Sequence, residues 1–82
     1  MLVRVEIHHP PAHLPWESVK NIYEDIWRAK DIIMKGEVQY AYDVAVERGF
    51  EAYVVSLSED DYKQLRELAQ KNKFYIKVER EE

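Results

Sequence analysis

The chain has no cysteine, which removes disulfide staples, thiolate metal sites and cysteine nucleophiles together. It has only two glycines, Gly36 and Gly49, so it offers no glycine-rich loop to cradle a phosphate. No G-x-S-x-G turn presents a serine nucleophile. No apolar stretch approaches the ~20 residues of a bilayer span, and the opening residues lack the basic-then-apolar form of a leader. The expectation is a soluble, cytoplasmic domain with no membrane partner. Twelve Lys/Arg stand against 16 Asp/Glu, a formal net charge of -4, and no two basic residues are adjacent. Such a chain is not built to neutralise phosphates, which argues against nucleic acid.

What is present is 82 residues, 46% hydrophobic and 34% charged, the composition of one small globular domain spanning 1–82. A core of that size is marginal without staples. With disulfides excluded and no metal site evident, self-association is the remaining common remedy. Two asparagines and three glutamines beside many Glu, Lys, Arg and Tyr also match the balance of heat-adapted proteins.

Periodicity orders the chain. Val3, Val5 and Ile7 alternate with Arg4, Glu6 and His8, a strand with one apolar face, and Pro10-Pro11 ends it. From Pro15 to about Lys35 the step becomes three and four: Val19, Ile22, Tyr23, Ile26, Ala29 and Ile33 predict an amphipathic helix. Lys20/Glu24, Glu24/Arg28 and Asp31/Lys35 pair on its outer face, and Gly36 stops it. Trp16, Tyr23, Trp27 and Met34 widen the apolar stripe, which implies a second burial surface. Val38, Tyr40, Tyr42, Val44 and Val46 recur at every second position, favouring a strand over 38–46 rather than a helix. Glu47-Arg48-Gly49 then turns the chain, with Gly49 free to take a positive φ. Phe50–Leu57 is apolar on both faces and wants cover on both. Ser58 and Asp61 resemble a capping box for a helix whose buried stripe is Tyr62, Leu65, Leu68 and Ala69, closed at Asn72. Phe74, Ile76 and Val78 form the apolar side of a last strand, and Arg80-Glu81-Glu82 a frayed tail.

The order β-α-β-β-α-β is the ferredoxin-like, split βαβ arrangement of the α+β class. Right-handed crossovers place both helices on one face of a four-stranded antiparallel sheet. The first and third strands are then central, and Arg4, Glu6 and His8 lie on the open face.

The chain resembles the dimeric α+β barrel superfamily, nearest its muconolactone-isomerase-like and YCII-like members. The likeness lies in Met1-Leu2-Val3 opening directly in a strand and in the helix that closes at Lys35-Gly36. It continues in the turn at Glu47–Gly49 and in the passage Ser58-Glu59-Asp60-Asp61-Tyr62-Lys63-Gln64-Leu65 into the second helix. The resemblance implies two sheets stacked across a two-fold axis, with a cavity between sheet and helices for a small organic ligand. It implies no reaction, because no catalytic motif of those families falls on this chain.

Strand spacing lines up Arg4, Glu6 and His8 at roughly 7 Å per step. His8 beside Glu6 suits acid/base work, and Arg4 could hold an anionic substrate; Asp43 could approach the same surface. The competing reading is an ion-pair ladder that fixes sheet register. His8, His9 and His13 lack a defined ligand spacing, and Pro10-Pro11 stiffen the path to His13, so they predict a solvated loop rather than a metal site. Most aromatics belong to core or interface. Trp16, where the first loop meets the first helix, is the candidate ligand contact. Open-face base stacking of the RNA-recognition kind fails, because Arg4, Glu6 and His8 occupy the position of the aromatics. Two functions follow. The first is a non-catalytic, homodimeric small-molecule-binding or structural module. The second is a cofactor-independent isomerase or lyase acting on a small carboxylate.

Overall fold

Strand β1 (Leu2–His8) shows how the alternating pattern becomes a layer: Val3, Val5 and Ile7 are fully buried, while Arg4, Glu6 and His8 are half-buried on the other side. The computed structural model describes residues 1–42 and 49–81. Asp43, the predicted continuation of the strand over 43–46, and Glu47-Arg48 lie outside the described residues. The remaining elements are α1 (Trp16–Lys35), β2 (Glu37–Tyr42), β3 (Phe50–Ser56), α2 (Glu59–Lys71) and β4 (Ile76–Arg80). The strands form one antiparallel sheet in the order β2-β3-β1-β4, with β1 and β3 central. This is the ferredoxin-like α+β topology.

Both helices cover the same face. Val3, Val5 and Ile7 of β1, Val55 beside them, and Ile76 of β4 pack against Ile26, Ala29, Ile32 and Ile33 of α1 and Leu65 of α2. Each valine, isoleucine and leucine among them leaves water for close packing, worth ~1.5–3 kcal/mol apiece. Neither helix is long and apolar enough to cross a membrane.

The local signals act as expected at three junctions. Ser58 accepts a hydrogen bond from the Asp61 N–H at 3.2 Å and so caps α2. Gly49 takes a φ of +71°, the left-handed region that costs glycine least. Gly36 ends α1 for a different reason. Its backbone is extended, but a Cβ there would lie 2.5 Å from the Ser56 carbonyl oxygen and 2.6 Å from Leu57 Cδ2.

Four expectations are corrected. A register shift between Val38 and Tyr40 sets Val38 opposite Val55 and Tyr40 opposite Val54. The extra residue of the bulge therefore splits a stripe that the sequence draws as continuous. Phe74 does not join the last strand; it sits in the turn before β4 and is 85% exposed. Arg80 is not frayed: it pairs with Val3, and its guanidinium lies 6.0 Å from the Tyr62 ring centroid. Arg28, expected against Glu24, reaches the buried Asp25 instead, at 2.9 Å.

Candidate functional site

On the open face, register sets Arg4 between Val54 and Glu79, Glu6 between Ala52 and Lys77, and His8 opposite Phe50. Arg4 donates to Glu6 Oε1 from Nε at 3.3 Å and from the terminal nitrogen at 3.2 Å. The other carboxylate oxygen of Glu6 lies 3.8 Å from His8 Nε2. The three predicted residues thus come together, with Glu6 held between its two neighbours. His8 Nε2 is buried without a hydrogen-bond partner among the described residues, and the His8 ring lies 4.8 Å from that of Phe50. Asp43 lies outside the described residues.

A second polar group sits on the helix-covered face, and the sequence gives no local sign of it. His9 is the residue after β1, and its N–H bonds the Gly49 carbonyl at 2.6 Å, which carries the strand's alternation one residue further. His9 therefore turns toward the helices, opposite in sense to His8. There its Nε2 meets Glu51 Oε2 at 2.5 Å. Lys30 of α1 donates to Glu51 Oε1 at 3.0 Å and Tyr53 donates to the same oxygen at 2.6 Å. Glu51 is only 6% exposed. Burial pushes its carboxyl up, but the donors Tyr53, His9 and Lys30 outweigh burial and bring it from 4.5 down to about 2. Glu51 is therefore ionised, fully engaged and a poor base. Ionised, it accepts the hydrogen bond from His9 Nε2 and so fixes the orientation of the ring. The sequence reading of His9 as part of a solvated loop is thus corrected.

An aromatic run continues from His9 along α1. Its ring centroid lies 5.8 Å from Tyr23, Tyr23 lies 5.7 Å from Trp16 and 6.1 Å from Trp27, and the two tryptophans are 6.2 Å apart. Spacings of seven and four residues put all three on one side of the helix. Trp16 and Trp27 remain 49% and 52% exposed. Trp16, singled out from the sequence, is thus part of this run.

A third cluster ties the helices together. Asp25 is 1% exposed and accepts from Asn72 Nδ2 at 2.9 Å, with Arg28 at 2.9 Å and Lys71 at 3.1 Å. Burial raises its carboxyl, yet the Asn72 and Lys71 hydrogen bonds and the nearby cations leave it below its ordinary value. A groove of about 480 Å³ between α1 and α2 is walled by Arg28 and Lys71 among others. Two of its cations are thus already committed to Asp25.

No protein-family profile, curated protein or solved structure matches the chain.

Proposed function

We propose that the chain is a homodimeric module of the dimeric α+β barrel kind, built by stacking two helix-free sheet faces, and that it binds a small organic molecule without transforming it. The observation that carries this reading is the make-up of the open face. Phe50, Ala52, Val54 and Tyr40 form its apolar half, and Arg4, Glu6, Lys77 and Glu79 form a half of alternating charge. A two-fold copy can lay apolar on apolar while setting Arg4 and Lys77 against Glu6 and Glu79, the self-complementarity that an isologous contact requires. In this reading Arg4, Glu6 and His8 fix register and assembly. Glu6 is held by Arg4, which leaves little for proton transfer at that point.

The test is native mass spectrometry of the full chain and of Val54→Arg. The expected result is a dimer for the wild type, carrying a small organic mass, and a monomer for the variant. A wild-type monomer at micromolar concentration, or an undisturbed dimer in Val54→Arg, overturns the stacked-sheet assembly.

A further inference from the structure

We propose that strand β4 is a docking edge for a second copy of this chain, the two β4 strands pairing antiparallel about a two-fold axis at Val78. The contact uses the rim of the sheet, so it goes beyond the stacking of open faces and does not depend on it.

β4 is the last strand in the order β2-β3-β1-β4, with β1 on its inner side. The ladder with β1 fixes which of its backbone groups face outward. His8 N–H bonds the Tyr75 carbonyl at 2.7 Å, and Glu81 N–H bonds the Leu2 carbonyl at 3.0 Å. Tyr75 and Glu81 thus turn their polar groups to β1, and by the alternation of an antiparallel ladder so do Lys77 and Glu79. Ile76, Val78 and Arg80 point theirs away from β1. The Ile76 N–H is taken by the Asn72 carbonyl at 2.9 Å. The N–H groups of Val78 and Arg80, and the carbonyls of Ile76, Val78 and Arg80, make up the rim. The opposite edge, β2, is interrupted by the bulge between Val38 and Tyr40 and has no such regular row.

Charge selects both the occupant and the register. With the axis at Val78, each Val78 N–H donates to the other copy's Val78 carbonyl, and each Arg80 N–H to the other copy's Ile76 carbonyl. Lys77 of each copy then stands opposite Glu79 of the other, both exposed, at the non-hydrogen-bonded positions where side chains lie closest. An axis at 77 sets Lys77 against Lys77, and one at 79 sets Glu79 against Glu79. Within each copy Arg4 pairs with Glu79 and Glu6 with Lys77. The row across both copies therefore reads Arg4, Glu79, Lys77, Glu6, alternating in sign at every step. An edge that only repels other strands carries like charge or a proline, whereas β4 carries both signs and no proline. The rim is small beside the ~1,200–2,000 Å² of a stable interface, so it fills near ~0.1 mM chain rather than at micromolar levels.

The chain has no cysteine, so an introduced thiol is unique. The experiment mixes Lys77→Cys with ¹⁵N-labelled Glu79→Cys at that higher concentration, oxidises them, and weighs the linked species by mass spectrometry. The mixed disulfide is expected in excess of its statistical share, with both self-disulfides below theirs. Stacked sheets lie ~10 Å apart, beyond the ~7 Å Cα reach of a disulfide, so stacking does not produce this pattern. A statistical mixture, no linkage, or an excess of either self-disulfide overturns the edge contact.

Sedimentation in the Val54→Arg background, where stacking is blocked, reads the charges. Lys77→Glu and Glu79→Lys each turn attractive pairs into repulsive ones and should self-associate ~5-fold or more weakly than their parent. Their equimolar mixture restores opposite charge at both positions and should recover the association. Unchanged association of either variant alone, or no recovery on mixing, overturns the inference. A mixed disulfide from a chain that forms no stacked dimer would remove the stacked module and leave this edge standing.

Discussion

Glu51→Gln separates the charge of the buried carboxylate from its shape. In the native chain the fall of the Glu51 carboxyl from 4.5 to about 2 corresponds to ~3 kcal/mol, at ~1.4 kcal/mol per pH unit. The side chain is only 8% exposed, so solvent screening removes little of this. Because the folded-state value is depressed, the contribution is fully present above about pH 4.5 and is lost as pH falls through about 2. The glutamine keeps a carbonyl oxygen for Lys30 and Tyr53 but no charge, so it lacks this contribution at every pH. The expected outcome is a variant ~2–4 kcal/mol less stable at pH 7, the scale of breaking a buried pair. The gap to wild type should narrow by most of ~3 kcal/mol between pH 5 and pH 2. Asp25 loses stability over an overlapping range, but it does so in both proteins and cancels in the difference. Urea unfolding at fixed protein concentration, followed by far-UV circular dichroism at pH 7, 5, 3 and 2, measures the gap directly. A constant gap across that range, or one below ~0.5 kcal/mol at pH 7, would refute the assignment of the buried charge to Glu51.

Two further substitutions probe the frame around the site. Asp25→Ala removes the acceptor that Asn72, Arg28 and Lys71 share between the helices. It should cost ~2–3 kcal/mol in urea unfolding, most of it from Asn72, since both cations are largely exposed and can turn to water. Gly36→Ala brings a Cβ within 2.5 Å of the Ser56 carbonyl oxygen; an expected loss of ~1–3 kcal/mol should appear as a lower melting temperature.

Strand β1, helix α1, the Ser58 cap and the order of elements were legible in the sequence, because each depends on side chains a few residues apart. A period of two or of 3.6 states which residues share a face, and four amphipathic strands with two amphipathic helices have few ways to bury those faces together. The open-face group was legible for the same reason: Arg4, Glu6 and His8 are alternate residues of one strand. The bulge between Val38 and Tyr40 was not, since an unbroken alternation carries no mark of where an extra residue will be accommodated.

The sequence by itself determined the faces, what is apolar and what is charged, and the order in which the elements follow. Only the tertiary structure decided which polar groups meet between those faces. His9 and Glu51 stand 42 positions apart, and Asn72 and Asp25 stand 47 apart. Neither pair has a local spacing that announces it. Sheet register brings β3 beside the end of β1, and helix packing lowers Lys30 onto the carboxylate. Once that carboxylate is buried, the cost of leaving it unpaired makes its donors obligatory. The physical reason for the division is distance along the chain. Periodicity reports neighbours within a turn or a pleat, whereas a buried charge is satisfied by whatever the fold places against it.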